Sequence, residues 1–486
     1  MTILPLDPAA NATPEALHAF LAQCQVAAGR AGRPQLVSIS LEVGALDPLA
    51  VLESIFEPGE PHFYAERPDL ESALAGAETA AAFETSGAGR FAAVQQWVAD
   101  VLQHTIAVGD AGAPFGGPHF FASFTFADEV EPGEPFPAAR VFVPRWQVAR
   151  AGAVTTAVAN LLVELGANLA PLAERVWRAH AKFQNFKYKE SHLPDAGGET
   201  SPRAAILRGE GTPPTFQTEE AGDYRGAVAQ ALQRIEAGEF SKIVLARARD
   251  LVAGQPLHPL RLLNGLRQRF PNCYAFSLAS GHGPSFIGAS PERLARASKG
   301  VLETEALAGS IRRGSRASED AALATFLLHA EKDLREHHLV VEAITGRLAQ
   351  LGLQPEFSPQ PGLRRLANVQ HLHTPVQAAL PASVSLLDAV AALHPTPAVG
   401  GTPQAAALAR IRELEGFPRG LYAGALGWLN ARGGGEFFVG LRSALIEGER
   451  ARLYAGAGIV AGSSPENEFA ETELKFKAMQ DALLSP

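Results

Sequence analysis

The sequence predicts an α+β protein built on antiparallel sheets. Three observations carry that expectation: short apolar runs that alternate as half-buried strands do, three strand-like runs near the C-terminus joined by short connections, and a mixed order of helices and strands. Connections of four or five residues demand antiparallel neighbours, because a parallel pair needs a long crossover. A doubly wound parallel sheet is therefore disfavoured.

In chain order, residues 35–41 and 120–126 alternate as strands, and 151–173 reads as a buried amphipathic helix interrupted by Asn160, Glu164 and Asn168. Residues 194–220 are rich in Gly, Pro, Ser, Thr and charge and read as a surface connection. A helix is expected over 223–237 and a strand rich in Ile, Val and Leu over 240–249. Runs 273–279 and 286–290, separated by Ser280-Gly281-His282-Gly283-Pro284, read as a hairpin. Ser318 is placed to cap one long helix to about residue 351, with Glu319 and Asp320 in its first turn. Strands over 420–429, 436–446 and 451–460 precede a last helix over 465–484.

The 486 residues carry 42 Lys+Arg against 51 Asp+Glu, a net charge of −9, with 47% hydrophobic residues. That is enough apolar chain for a sizeable core, which excludes disorder as the main state. No Lys/Arg cluster offers phosphates a basic patch, so a nucleic-acid partner is disfavoured. The two cysteines, Cys24 and Cys273, suggest neither a disulfide framework nor a zinc site, and a reducing, cytoplasmic compartment is expected. No basic segment followed by an apolar run opens the chain and no stretch reads as a membrane span, so a soluble protein is expected.

Several residues stand out chemically. Lys242 interrupts an apolar strand on the face of Val244 and Ala246; it is either a desolvated base or an edge lysine whose head reaches water. Glu336 shares a helical face with Val340 and Ala343, so it pairs with a cation, binds a metal, or lies exposed on a charged helix. Glu468, Glu471 and Lys475 share one face of the last helix, as an ion-paired surface or as half of a Mg²⁺ site that Glu336 would complete. Arg442, between Gly440 and Ala444, offers its guanidinium fork to a ligand carboxylate or to a structural partner. The Gly-rich segments at 281–283 and 456–458 lack phosphate-loop spacing, and His329, His337 and His338 read as ordinary helix residues.

Seven ordered blocks go further: KIVLAR at 242–247, FIGASPERL at 286–294, EALAGS at 305–310, Glu336-His337, LHPTPAVGG at 393–401, RGLYAG at 419–424, and GAGIV at 456–460 leading through Glu471-Thr472 to Lys475. Together they resemble the chorismate-utilising enzymes related to anthranilate synthase component I, and among these the isochorismate synthases. The strong part spans about residues 220–480, and 63–66 and 120–126 resemble the family's first half. The resemblance implies two facing antiparallel sheets flanked by helices, with an N-terminal extension over 1–30, an N-terminal half over 31–215 and a chorismate-binding core over 216–486, both halves forming one integrated domain.

It also implies site roles. Lys242 matches the base that activates water and Glu292 the acid that protonates the departing hydroxyl; Glu336 and Glu471 match Mg²⁺ carboxylates. Arg442 matches a substrate-carboxylate clamp, Leu307 a pocket position by the ring, Gly458 a backbone carboxylate site, and Lys475 a neighbour of metal and substrate. Anthranilate synthases generally carry Gln where Lys242 stands, so water addition is favoured over ammonia and no glutamine amidotransferase subunit is expected. The implied activity is Mg²⁺-dependent isomerisation of chorismate to isochorismate by a monomer or weak oligomer, feeding menaquinone biosynthesis. The alternatives are a salicylate synthase that goes on to lose pyruvate, and isochorismate supply to a siderophore pathway.

Overall fold

A computed structural model describes residues 1–4, 13–57, 59–184 and 216–484. Among them, a sheet of fourteen strands and a sheet of ten enclose the main core, with helices packed around them. Every pairing is antiparallel except Thr2–Leu4 with Thr105–Gly109 and the latter with Gln35–Val43. The α+β expectation holds.

Strands from both sides of residue 216 interleave in each sheet. His62–Arg67 pairs with Tyr274–Ala279 in the larger sheet, and His119–Phe124 pairs with Ala425–Asn430 in the smaller. Aromatic side chains join the two layers: Phe63 stacks on Phe121 with centroids 4.6 Å apart, and Tyr274 on Phe438 at 4.9 Å. Offset stacking of buried rings adds to the area term that dominates such a core. Gly427 lets two neighbouring strands of the smaller sheet approach closely, because a Cβ there would lie 2.1 Å from the Glu436 carbonyl oxygen.

Three expectations need correction. Residues 151–173 are not one helix: Val154–Val163 is a strand between Gln35–Val43 and Trp146–Ala151, followed by the helix Leu169–Gln184. The β-branched Thr155, Thr156 and Val158 favour extended backbone, and the Asn160 side-chain amide donates there to the Pro144 carbonyl at 2.8 Å. The long helix from Ser318 is two, Ala317–His329 and Glu331–Gln350, with extended backbone at Ala330 between them, and the first begins after Arg316 without a side-chain cap. The run 436–446 is likewise two strands, Gly435–Val439 in the smaller sheet and Ser443–Glu447 in the larger. The chain crosses between sheets at Gly440-Leu441-Arg442, where Arg442 adopts a left-handed φ of 46°. Alternation therefore does not set where Arg442 points.

The helix over 223–237 appears as Tyr224–Glu236, capped by Asp223, and the hairpin as Tyr274–Ala279 with Ser285–Ser290. Most of the connection 194–220 lies outside the described residues; its end, Gln217–Ala221, is an edge strand on Lys242–Val252. Cys24 and Cys273 are buried and free, and no helix among the described residues is long and apolar enough to cross a membrane.

The strand Lys242–Val252 pairs along its whole length with Arg450–Val460, but its other edge is broken. Gly401–Thr402 covers Lys242 and Ile243, and Gln217–Ala221 covers Ala248 onward. A buried ion pair fills the gap: Glu415 accepts from the Ala246 N–H at 2.6 Å, while Arg419 donates to the Val244 carbonyl and to the Val399 carbonyl, both at 2.8 Å. Removing one partner of such a pair leaves an uncompensated buried charge. Arg419→Met should lower unfolding free energy by about 3–5 kcal/mol in urea titration, whereas Arg33→Met, from an exposed pair with Asp100, should change it by less than about 1 kcal/mol.

Candidate active site

A pocket with about 110 Å³ of free space gathers Glu292, Leu307, Glu336, Arg442, Gly458, Glu471 and Lys475 from separate elements. Lys242 joins them through its ammonium, which donates to Glu336 at 2.7 Å. Its side chain is 0% exposed, so the edge-lysine reading is wrong. A lysine with no solvent needs a counter-charge, and the helix Glu331–Gln350 supplies it. Gly458 makes the pairing sterically possible, since a Cβ there would lie 2.5 Å from a Glu336 carboxylate oxygen.

Two further pairs repeat the pattern. Lys332 meets Glu468 at 3.0 Å, and Lys475 meets Glu471 at 2.8 Å while donating to the Gly456 carbonyl at 2.7 Å. Burial and the Lys242 ammonium oppose each other at Glu336, and the lysine wins, holding its pKa below the usual value. Asp333 has no such lysine partner; burial and the Glu336 charge push it up to about 6. Among the described residues no group of three or more His, Cys, Asp or Glu side chains is arranged as a preformed metal cage.

Glu292 follows the strand Ser285–Ser290 and is 4% exposed. Burial and the nearby Glu305 charge raise its pKa to about 8, so it carries a proton at neutral pH. Glu305 is the opposite case. Burial alone would raise it, but His373 at 2.9 Å, Arg364 at 2.6 Å and the Arg293 N–H at 2.9 Å hold it at about 2. Two carboxyl groups with pKa values driven apart are the arrangement that lets one act as an acid beside a fixed negative charge.

The crossing between sheets delivers Arg442 to the pocket wall. The residue is 6% exposed, its Nη2 donates to His371 Nε2 at 3.2 Å, and its Nη1 is buried without a partner. Because a guanidinium only donates, His371 Nε2 must accept. Its Nδ1 then carries the proton and donates to Ser310 Oγ at 2.8 Å. Burial and the Arg442 charge keep His371 neutral. An orphaned guanidinium nitrogen in a pocket is poised for an anion.

All eight residues singled out in the sequence converge, Leu307 as an apolar wall 7% exposed. Sequence reasoning missed Glu305, His371 and Asp333. His371 lies in a strand, Val369–Ala379, with no motif around it, and only its register opposite Ser310 reveals it.

Similarity to known proteins identifies the family. A profile of the family described as "Chorismate binding enzyme" matches residues 19–484. The chain is 35% identical to the "Salicylate biosynthesis isochorismate synthase" of Pseudomonas aeruginosa over 96% of this chain and 95% of that protein. It is 32% identical to isochorismate synthase MenF of Bacillus subtilis over 92% and 93%. The solved structure of MenF, the menaquinone-specific isochorismate synthase from Escherichia coli, superposes with a TM-score of 0.74 at 28% identity, covering 95% of this chain and 99% of that one.

The raised pKa of Glu292 links to stability. Between its ordinary 4.5 and about 8, the native state holds a proton that the unfolded chain has released. The contribution is fully present below pH 4.5 and lost as pH rises through 8. Glu292→Gln should therefore gain on wild type by up to about 1.4 kcal/mol per pH unit across that window. Denaturant melts at several pH values check it, and a pH-independent difference would show that Glu292 is ionised.

Proposed function

The chain belongs to the family of chorismate-binding enzymes, and from that premise we propose that it isomerises chorismate to isochorismate. The observation that carries the reading is the pairing of a protonated, buried Glu292 with a fully buried lysine, Lys242, around one pocket. Water adds at C2 of the ring while the C4 hydroxyl leaves, so the reaction needs a proton acceptor for the water and a proton donor for the departing oxygen. Lys242 Nζ takes the first role as the neutral amine, once the proton it shares with Glu336 has left it, and Glu292 takes the second. Glu305 stays ionised and keeps the proton on Glu292 until the leaving oxygen claims it.

Chorismate is a dianion. Arg442 Nη1 offers one carboxylate a donor that no protein group uses, and Lys475 and the Gly458 backbone lie along the same wall. Leu307 bounds the space for the ring. The donor set also fits Mg²⁺, which takes one or two protein carboxylates and fills its remaining positions with water and substrate oxygens. Glu336 and Glu471, which line the same pocket, would hold it. A bound cation would supply positive charge to a chorismate carboxylate, next to a Glu336 that also accepts from Lys242.

We assign the product to menaquinone biosynthesis, supported by the similarity in structure to the menaquinone-specific enzyme along nearly the whole of both chains. Supply of salicylate synthesis is the second reading, favoured by the relative at 35% identity named for that pathway.

Purified protein with chorismate and Mg²⁺ should yield isochorismate by chromatography, with no aminated product when ammonium is added. Salicylate with pyruvate would transfer the assignment to the eliminating enzymes, and unchanged chorismate would refute catalysis. Lys242→Ala and Glu292→Gln should each lower kcat by about 10²–10⁴-fold while retaining the native circular dichroism spectrum, and EDTA should abolish turnover until Mg²⁺ is restored.

A further inference from the structure

A second cavity, about 670 Å³, shares a wall with the reaction pocket: His394 and Pro395 line it, whereas Ala398 and Val399 of the same segment line the pocket. Arg90 also lines this cavity and is 5% exposed. Its Nη2 donates to the Thr125 carbonyl at 3.3 Å, but its Nε is buried with no partner and it makes no ion pair. Six arginines are buried among the described residues. Arg67, Arg247, Arg249 and Arg419 each pair with a carboxylate. The two that do not are Arg442, facing the reaction pocket, and Arg90, facing this cavity.

A second feature points at the same place. Arg90 opens the helix Arg90–Gln103, whose N-cap Gly89 has no side chain to accept from the first turn and whose first turn carries no acid. Gly89, Phe91 and Ala92 line the cavity beside Arg90. The Arg90 N–H is taken by the Gly87 carbonyl at 3.1 Å, so the Phe91 and Ala92 N–H groups and the positive end of the helix dipole coincide with a guanidinium that has no ion-pair partner, the combination that holds carboxylates and other anions. The remaining walls include Phe91, Phe126 and Phe417. Asp128, Glu129 and Glu131 at the rim disfavour a ligand of high negative charge.

We propose that this cavity binds a small aromatic monocarboxylate, its carboxylate on Arg90 and the first turn of the helix and its ring against the phenylalanines. Occupancy bears on the segment whose other end lines the reaction pocket.

Benzoate is the probe, titrated into the full chain by calorimetry. Gly89→Asp tests the site without threatening the fold: Asp is a preferred N-cap, the Gly89 φ is −83°, and a Cβ there meets nothing within 4 Å. Its carboxylate would occupy the N–H groups and repel the ligand. Saturable one-to-one binding to wild type, weakened at least about tenfold by Gly89→Asp and by a folded Arg90→Met, is the expected result. If Arg90→Met fails to fold, Gly89→Asp alone decides. Absence of binding, binding unchanged by Gly89→Asp as for benzoate seated at Arg442, or displacement of benzoate by equimolar inorganic phosphate would each overturn the proposal.

Discussion

The structure of the reaction pocket depends on the ion pair between Glu415 and Arg419. A strand edge left open inside a protein has peptide groups that must find partners, and here two side chains supply what a neighbouring strand would. The guanidinium reaches the Val244 and Val399 carbonyls together, so one group sets the strand bearing Lys242 relative to the segment bearing Ala398 and Val399. A well-packed hydrophobic pair often replaces a buried ion pair at little loss. It could not do so at this position, because the Ala246 N–H and two carbonyls would be left without partners.

Around that frame, charge is arranged in opposed pairs rather than as one field. Three lysines each engage a glutamate, Glu305 is held ionised by three donors, and Glu292 is left protonated beside it. Neutralising most charges internally leaves Arg442 as the cation without a protein counter-charge on that wall. In the proposed reaction a dianion entering such a site would meet positive charge at Arg442 and a neutral acid at Glu292.

The ordered motifs made the family legible, and the apolar strand context of Lys242 and Arg442 already marked them as chemically unusual. What local pattern could not give was long-range pairing. Glu336 reads as a surface residue of a charged helix until the helix is seen packed over Lys242, 94 positions away in sequence. Glu305 belongs to a recognised block, yet its ionisation depends on His373 and Arg364, which nothing nearby in sequence announces. The errors of secondary structure have similar origins. Apolar residues over 151–173 suit either a buried helix or a buried strand, and only the hydrogen-bonding neighbours decide. The apolar run through Arg442 hides a change of sheet because both of its halves are buried strands.

The interleaving of early and late strands bears on how the chain is made. Arg450–Val460 lies between Ser443–Glu447 and Lys242–Val252, so the larger sheet gains its central pairing only when residues 443–460 have left the ribosome. Until then His62–Arg67 and Tyr274–Ala279 can pair, but the apolar edge of Lys242–Val252 has no partner on its long side. Unpaired edges of that kind recruit other chains. Synthesis thus passes through a long interval in which that edge stays open, and a truncation near residue 440 would remove both strands of the central pairing together with the helix Pro465–Leu484, which carries Glu471 and Lys475.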